Sequence, residues 1–412
     1  MTSPSIRKHK VVVIGGGAAG LAAAASLLKR RPGLDLAVVE PKQVHDYQPG
    51  WTLVGAGVFD RAATQRPMAK CIPVGAAWIQ DAMAAVDPQQ RRITLGSGGV
   101  VEYEALVVAP GLRLAWEEIA GLEEALGQYG VTSNYRADLA PYTWSLVRSL
   151  TKGQALFTQP TMPIKCAGAP QKAVYLSADY WRRRGGGPKI AFHAATPALF
   201  GVAHYVPALM RYIERYGVDL QLQSQLIAVD GPGRRATFRT QGPQGESIVH
   251  RSFDMLHVCP PQRPLPAFAG SVLAGQDGWI EVDPQTLQHP RFAAVFALGD
   301  GVATTNAKTA AAARKQAPVV AENLLAYLDG KAPAFAYDGY GSCPLTVERG
   351  RIVLAEFGYG GRLLPTLPRR VLDGDRATRR AWWLKTRLLP FIYWHGMLRG
   401  REWLVAPKPS AG

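Results

Sequence analysis

The sequence predicts an α/β fold with two parallel-sheet units in one chain. The first observation is an apolar strand at residues 10–14, which leads through a glycine turn into an Ala/Leu-rich helix and a strand at 34–40. The second is another alternation of strands and helices between residues 154 and 216. The third is a late strand at 293–298 followed by a helix at about 308–328. Such alternation builds parallel sheets that are covered by helices.

The remaining elements follow in chain order. The first helix is expected to end near Arg31, where Pro32 and Gly33 break it. A β-rich stretch at 76–108 contains the turn Gly96-Ser-Gly-Gly99, which predicts a hairpin. In the second unit the apolar patterns predict strands near 154–158 and 189–193 and helices near 170–184 and 204–216.

At 412 residues the chain is long enough for two intertwined domains. We expect the first domain to be formed by two separate parts of the chain, because the late strand and helix rejoin the first unit. The predicted divisions are a first domain at 1–150 and 276–335, a second Rossmann-like domain at 151–275, and a C-terminal region at 336–412.

The glycine turn after the first strand fits a dinucleotide-binding fingerprint. Small residues let the backbone approach a pyrophosphate, and the N-terminus of the following helix favours its negative charge. An acidic residue twenty positions later is placed to accept hydrogen bonds from a ribose. The alternative is a turn that only packs a helix on a strand. The candidate cofactor residues here are Gly15, Gly17, Ala18, Ala19, Gly20 and Glu40.

Two later segments resemble the further fingerprints of flavoproteins with two dinucleotide-binding domains. They are Val107-Val-Ala-Pro-Gly111 and Phe296-Ala-Leu-Gly-Asp-Gly301. The resemblance implies FAD, with Asp300 at the ribityl chain, although Asp300 alone could equally be a turn or cap residue. Lys308, Thr309 and Ala310 begin a helix whose N-terminus would favour the negative charge of a reduced flavin.

The second unit lacks the glycine loop that a nicotinamide site would need. The segment after its first strand is Gln159-Pro-Thr-Met-Pro163, in which two prolines remove amide donors. The next strand ends in His193-Ala-Ala rather than in an acidic residue or arginine. We therefore expect a degenerate second domain without an NAD(P) site.

Four cysteines are too few for a secreted disulfide scaffold, so they indicate redox-active or buried thiols in a reducing compartment. Cys166 precedes a helix that Pro170 is expected to open, with Lys165 and Lys172 nearby, and this setting favours a thiolate. Cys343 lies in a Gly/Tyr/Ser/Pro segment that favours an exposed loop. From the residues alone each could be an ordinary thiol, and a sequence gap cannot bring them together.

Four segments resemble the sulfide:quinone oxidoreductases, in particular the branch that includes the mitochondrial enzyme. The resemblance runs from about residue 10 to 405, and the two cysteine motifs are its most specific part. The segments are Pro163-Ile-Lys-Cys-Ala-Gly-Ala-Pro-Gln-Lys172, His45-Asp-Tyr-Gln-Pro-Gly-Trp-Thr-Leu-Val-Gly-Ala-Gly57, Met255-Leu-His-Val258 and Asp338-Gly-Tyr-Gly-Ser-Cys-Pro-Leu345.

The resemblance implies a disulfide between Cys166 and Cys343, attack by hydrogen sulfide, and a persulfide on one cysteine. The other, which it suggests is Cys166, would act as a thiolate against the flavin. The sulfur would then pass to glutathione, sulfite, cyanide or sulfide. Gln48 matches a flavin-contact position, with a loop amide as the alternative, and Met83 is a further candidate at the cofactor. Cys71 and Cys259 lie outside both cysteine motifs and are interpreted as buried hydrophobic residues.

The charge of +16 indicates an anionic partner. Arginine and lysine crowd the last 45 residues among four tryptophans, a mixture that favours a membrane surface over nucleic acid. Residues 379–403 are predicted to form two short amphipathic helices broken by Pro390. Phe357, Phe391 and Tyr393 are the candidates for a membrane quinone site, and a plain C-terminal cap is the alternative.

About ten residues precede the first strand, without the pattern of a secretion signal or transit peptide. No apolar run is long enough to span a bilayer. We expect a peripheral protein at the cytoplasmic face of a bacterial inner membrane, without a metal site, and the sequence leaves room for a homo-oligomer. The alternatives are a type II NADH:quinone oxidoreductase, a flavocytochrome-type sulfide dehydrogenase, and a non-enzymatic flavin-fold redox sensor or membrane scaffold.

Overall fold

The computed structural model describes residues 6–410, and a mixed sheet of seven strands forms its first unit. Five of the strands are parallel, and their apolar side chains are buried on both faces, as expected where helices cover a sheet. The hairpin predicted at Gly96–Gly99 is confirmed. In spatial order the strands are Ala76–Ile79, Leu36–Val39, Ile6–Ile14, Val100–Val108, Arg92–Leu95 and Met83–Asp87, with Val295–Ala297 pairing with the end of Val100–Val108.

Two long helices pack against each other in the core of this unit. The first helix, Ala18–Arg30, is rich in alanine, which allows close approach to the sheet and to the second helix, Ala310–Leu328. Pro318 lies inside the second helix. Because the strand Val295–Ala297 and this helix come from residues far along the chain, the unit is closed by two separate stretches of sequence, as predicted.

The second unit contains a parallel sheet of five strands. The helices Ala140–Ser149, Ala169–Arg183 and Val206–Arg215 pack around it. The predicted strands and helices of this unit are confirmed within a few residues. In spatial order the strands are Val131–Thr132, Met255–His257, Gln154–Gln159, Lys189–Ala194 and Asp219–Leu222.

An antiparallel sheet of three strands is inserted in this unit between Asp219–Leu222 and Met255–His257, and the sequence analysis did not predict it. Its strands are Ser224–Asp230, Arg235–Gly242 and Gly245–Ser252. The third strand is mostly exposed. A strand with few buried apolar residues gives only a weak periodic signal, which explains the omission.

The C-terminal hairpin joins Gly341–Glu348 to Arg351–Phe357 and packs against the helix Ala169–Arg183. Alternate residues of its first strand, Cys343, Leu345 and Val347, lie in the core of the second unit. The expected exposed loop at Cys343 is therefore wrong. Its Gly, Tyr and Ser neighbours mark the start of a strand in which every residue except Pro344 is buried, and the residues that pack in the second core alternate from the cysteine onward.

The C-terminal helical segment is a continuous run from Arg379 to Arg399, so the predicted break at Pro390 is wrong. Two wide π-turns, Leu384–Leu388 and Ile392–Gly396, flank the short α-helical piece Leu389–Phe391 that contains the proline. Wide turns accommodate a residue that lacks an amide donor without ending the helix. The other pieces of the segment are Arg379–Trp383 and Met397–Arg399.

Short elements complete the described chain. Within residues 6–410, no helix combines the length and apolar character needed to cross a bilayer. The short strands are Val44–Asp46, Gln65–Pro67, Arg113–Leu114, Gln262–Arg263, Phe335–Ala336 and Lys408–Pro409, and the short α-helices are Trp51–Val54, Met68–Cys71, Leu122–Ala125 and Pro266–Ala269.

Candidate active site

The glycine turn 15–20 is built for close backbone contact. Gly15 has φ +98°, and a Cβ there would lie 2.3 Å from the carbonyl oxygen of Ala109. A Cβ on Gly20 would lie 1.9 Å from the carbonyl oxygen of Gly15, so only glycine lets the first helix pack this closely. A Cβ on Gly17 would meet nothing within 4 Å. Of the four glycines in the turn, only Gly17 therefore faces open space.

Glu40 is held beside this turn at the end of its strand. One carboxylate oxygen accepts the N–H of Gly16 at 2.8 Å, and the other accepts the N–H of Lys42 at 2.8 Å. A Cβ on Gly16 would collide with the Glu40 side chain. The carboxylate thus fixes the glycine turn and keeps spare lone pairs for a ribose.

A second turn brings Asp300 to the first helix. Gly299 has φ +83°, and a Cβ there would lie 2.7 Å from the Cβ of Ala19. The ammonium group of Lys308 donates to the carbonyl oxygens of Asp300 and Val302 at 2.8 and 2.9 Å. Burial lowers the pKa of Lys308 to about 8 and raises that of Asp300. Lys308 therefore supports the backbone of this turn.

These residues fit an FAD molecule. The first helix begins at Ala18 without a side-chain cap, which leaves amide donors for a pyrophosphate next to the open face of Gly17. Within residues 6–410, the Asp300 carboxylate has no hydrogen-bond partner, so it is an acceptor available to a sugar hydroxyl. These donors and acceptors belong to the residues that the fingerprints single out, and their contacts to FAD stay predictions.

The other predicted cofactor residues have defined places. Thr309 caps the helix Ala310–Leu328 by accepting the N–H of Ala312, so the helix begins as predicted. Gln48 accepts a hydrogen bond from the ammonium group of Lys165 at 2.7 Å. Met83 is buried at the start of its strand in the sheet. Their contacts to FAD remain predictions.

The structure brings Cys166 and Cys343 together. Their Sγ atoms lie 3.8 Å apart, although 177 residues separate them in sequence. Cys343 is fully buried, and both cysteines are free thiols. A Cβ on Gly168 would lie 2.2 Å from Leu345, so glycine allows the Cys166 loop to lie against the hairpin. The loop that carries phosphate in a nicotinamide-binding domain carries a cysteine here.

The surroundings of the two thiols shift their pKa values in opposite directions. The hydrogen bond from the Cys343 thiol and the Lys172 ammonium group, 3.3 Å from Cys166 Sγ, hold the pKa of Cys166 well below its ordinary value. The adjacent Cys166 thiolate and burial raise the pKa of Cys343 well above its ordinary value. Of the two thiols, Cys166 is therefore the one that more readily becomes a thiolate, as expected for a cysteine before a helix N-terminus.

Lys385 is a site residue that the sequence analysis missed. It comes from the C-terminal helical segment, is buried, and donates to the carbonyl oxygen of Pro49 at 2.9 Å. Burial lowers its pKa to about 7, and repulsion from Lys172 adds to this, while the cysteine charges oppose it. The buried lysine in an amphipathic segment is only apparent once the segment folds over the cysteines.

The three quinone candidates lie in different surroundings. Phe357 packs edge-on against Phe200, whereas Phe391 is 51% exposed and stacks with Trp403. Tyr393 is 4% exposed, and its hydroxyl is hydrogen-bonded to His45. The described contacts do not join the three side chains in one cluster.

Within residues 6–410, Cys71, Cys259 and His193 are buried and make no hydrogen bond to Cys166 or Cys343. Cys71 packs in the first core, and burial raises its thiol pKa. Burial raises the pKa of Cys259 to about 12. Both therefore have the surroundings of small buried residues. His193 stacks on Phe238 and hydrogen-bonds Ser224, and burial lowers its pKa to about 4.

Comparison with known proteins identifies the family of this chain. A family model described as pyridine nucleotide-disulphide oxidoreductase matches residues 9–317. The mitochondrial sulfide:quinone oxidoreductases of Dictyostelium discoideum and Mus musculus are 39% and 38% identical to this chain, over 89% and 90% of it and over 80% and 83% of their own lengths. The chain belongs to the sulfide:quinone oxidoreductase family. The resemblance stated from the four sequence segments is therefore confirmed.

This family member also resembles solved structures in its fold. The sulfide:quinone oxidoreductase of Aquifex aeolicus has a TM-score of 0.77 at 18% identity, over 98% of this chain and 93% of that one. A chain of the Tetrahymena thermophila mitochondrial ATP synthase structure has a TM-score of 0.82 at 19% identity, over 97% and 98%. The predicted α/β class with Rossmann-type domains is confirmed.

Proposed function

We propose that this chain is an FAD-dependent enzyme that oxidises hydrogen sulfide and reduces a quinone. The observation that carries the proposal is the 3.8 Å contact between the sulfur atoms of Cys166 and Cys343 in a chain of this family. Two sulfurs so close, with one thiolate favoured, are suited to alternate between a dithiol and a disulfide.

The first chemical step is attack of hydrosulfide on the oxidised pair. Hydrosulfide forms a bond to Cys343 Sγ, the Cys166–Cys343 bond breaks, and Cys166 leaves as a thiolate. The low pKa of Cys166 makes it the better leaving group, and the Lys172 ammonium group stabilises its charge. Cys343 is left with a persulfide.

The outer sulfur of the persulfide then passes to a nucleophile. The candidates are glutathione, sulfite, cyanide and a second sulfide. Transfer breaks the bond to Cys343 and leaves two reduced cysteines, which return to the disulfide by losing two electrons. Bound FAD would supply the acceptor for this electron pair and deliver it to quinone. Glu40 would hold the ribose and Asp300 the ribityl chain, while Lys165 would place Gln48.

A peripheral membrane contact would give the enzyme access to quinone. The C-terminal helical segment exposes Trp383 at 59% and Phe391 at 51%, beside arginines that could meet lipid phosphate. Phe391 and Phe357 are the proposed quinone contacts. Tyr393 would support this surface from beneath, because its hydroxyl is already bound. We place the protein at the cytoplasmic face of a bacterial inner membrane, with no nucleic-acid partner.

The proposal is tested by the choice of electron donor. Sulfide should bleach the FAD absorbance anaerobically, and added quinone should restore it within a turnover. NADH should not bleach the FAD absorbance, since two prolines occupy the loop after the strand Gln154–Gln159, where a nicotinamide site would need amide donors. Flavin reduction by NADH at catalytic rates would favour the type II NADH:quinone alternative. No bleaching by sulfide would favour a redox sensor.

A further inference from the structure

His45 connects the C-terminal helical segment to the glycine turn of the cofactor site. Its Nδ1 lies 3.0 Å from the carbonyl oxygen of Gly16, and its Nε2 lies 2.7 Å from the hydroxyl of Tyr393. His45 and Tyr393 are 3% and 4% exposed. The route from residue 393 to the dinucleotide turn therefore consists of two hydrogen bonds inside the protein.

The partners determine the state of the imidazole. A carbonyl oxygen only accepts, so Nδ1 carries the proton and donates to Gly16. Burial lowers the pKa of His45 and so favours the neutral ring, in which a protonated Nδ1 leaves Nε2 to accept the Tyr393 hydroxyl. Without that hydroxyl, a buried acceptor would lose its hydrogen bond.

Both sides of Gly16 are thus held in place. Its N–H donates to Glu40, and its carbonyl accepts from His45. In a trans peptide the C=O and the following N–H point in opposite directions. Aiming the Gly16 carbonyl at His45 therefore turns the Gly17 N–H away from it, and this N–H has no protein partner among residues 6–410.

The ring of Tyr393 has its own support. It packs on Tyr47 with ring centroids 4.7 Å apart and on Trp394 at 5.1 Å. Arg66 lies 4.3 Å from the Trp394 ring centroid. These contacts hold the phenol in position, so the hydroxyl can be removed without removing the packing.

We propose that His45 and Tyr393 are positioning residues for FAD. Together they orient the Gly16–Gly17 peptide so that the Gly17 N–H meets the pyrophosphate, and FAD affinity thereby depends on the C-terminal helical segment. The inference rests on the proposed function only in that the cofactor is FAD. It gives the His45 segment, a motif of the sequence, a physical role.

Apoprotein prepared from the full chain is titrated with FAD, and binding is followed by quenching of flavin fluorescence. Tyr393→Phe should raise the FAD Kd by roughly 3- to 10-fold, because it removes one buried hydrogen bond and keeps the ring. His45→Phe should raise it by roughly 10-fold or more. Tyr47→Phe is the matched control, since Tyr47 lies in the same aromatic cluster without a hydrogen bond to His45.

The double variant Tyr393→Phe/His45→Phe should bind FAD no more weakly than His45→Phe alone, because both act through one connection. FAD should also raise the melting temperature of Tyr393→Phe by less than that of the wild type. If Tyr393 had only a structural role, Tyr393→Phe would lower the melting temperatures of the apoprotein and of the FAD-bound protein by the same amount.

Equal Kd values for Tyr393→Phe and Tyr47→Phe, or strictly additive effects of the two substitutions, would overturn the inference. If the His45→Phe variant does not fold, the comparison of the two tyrosine variants decides. Failure of the wild-type chain to bind FAD would instead overturn the proposed function, so the two failures are distinguishable.

Discussion

The Sγ atoms of Cys166 and Cys343 meet at 3.8 Å between the N-terminus of one helix and a strand of the C-terminal hairpin. Lys172 approaches Cys166 from the helix, and Lys385 reaches the same region from the C-terminal helical segment. The pair thus has an uneven distribution of positive charge. This asymmetry gives each thiol a different chemical part in the proposed reaction.

Replacing Lys172 should weaken the thiolate. In Lys172→Met the pKa of Cys166 should rise by about 1 unit or more, because an ammonium group 3.3 Å from Sγ is lost. The rate of Cys166 alkylation by iodoacetamide is measured against pH by peptide mass spectrometry. The midpoint of this pH profile should move to higher pH by the same amount as the pKa. Lys152→Met, at an exposed position, serves as the control. An unshifted profile for Lys172→Met would exclude this electrostatic role.

Alanine substitutions at Gly17 and Gly20 should have different effects, the first on FAD binding and the second on the stability of the apoprotein. Gly17→Ala adds a Cβ in open space, so the apoprotein should keep its melting temperature while FAD binds at least about 10-fold more weakly. Gly20→Ala places a Cβ 1.9 Å from a backbone oxygen, so the apoprotein itself should be destabilised. Thermal melting and FAD titration of both variants provide the measurement. Equal apoprotein melting temperatures for the two variants would contradict the packing argument.

Lys385 should make stability depend on pH. Burial lowers its pKa from 10.5 to about 7 in the folded state. Between these values the unfolded chain retains a proton that the folded chain has lost, so stability rises with pH across this window. Lys385→Met lacks the burial cost. It should therefore be more stable than the wild type near pH 7 by roughly 2–4 kcal/mol, and the difference should shrink towards pH 10.

Denaturant unfolding of the FAD-saturated proteins at several pH values checks this prediction. Lys152→Met again provides an exposed lysine for comparison and should show no such trend. A difference between wild type and Lys385→Met that stays constant from pH 7 to 10 would show that Lys385 keeps its proton in the fold.

The C-terminal surface should bind lipid. Trp383→Glu and Phe391→Glu should each reduce co-sedimentation with anionic phospholipid vesicles by roughly 10-fold, since each removes an exposed aromatic group that would enter the acyl boundary. Sulfide reduction of the FAD should be unchanged. Ile248→Glu, at a side chain 51% exposed on the antiparallel sheet, is the matched control. Equal vesicle binding by all three variants would remove the membrane proposal.

The sequence contains most of the fold because strand and helix periodicity, glycine turns and prolines are local signals. The glycine turn before the first helix and the helix opened near Pro170 were predicted from such signals, and the structure contains both. The contact between Cys166 and Cys343 required the family resemblance, since no local pattern encodes the packing of the hairpin on a distant helix. Cys343 was placed in an exposed loop because its small neighbours resemble a turn.

Lys385 and the hydrogen bonds of His45 could not be predicted for the same reason. Each depends on where the C-terminal helical segment lies on the rest of the molecule. The amphipathic pattern of that segment is visible in the sequence. Such a pattern predicts that every lysine is exposed, so it does not reveal that Lys385 is buried. Pro390 also gave a false break, because wide turns on both sides carry the helix past it.

Anaerobic stopped-flow reduction of the FAD by sulfide tests the central claim most directly. The wild type and Cys71→Ala, which alters a buried thiol in the first core, should be reduced at similar rates. Cys166→Ser and Cys343→Ser should each lose at least about 1,000-fold in rate, because neither can form the disulfide that hydrosulfide attacks. Normal sulfide-dependent reduction and quinone turnover in either serine variant would contradict the cysteine-pair mechanism.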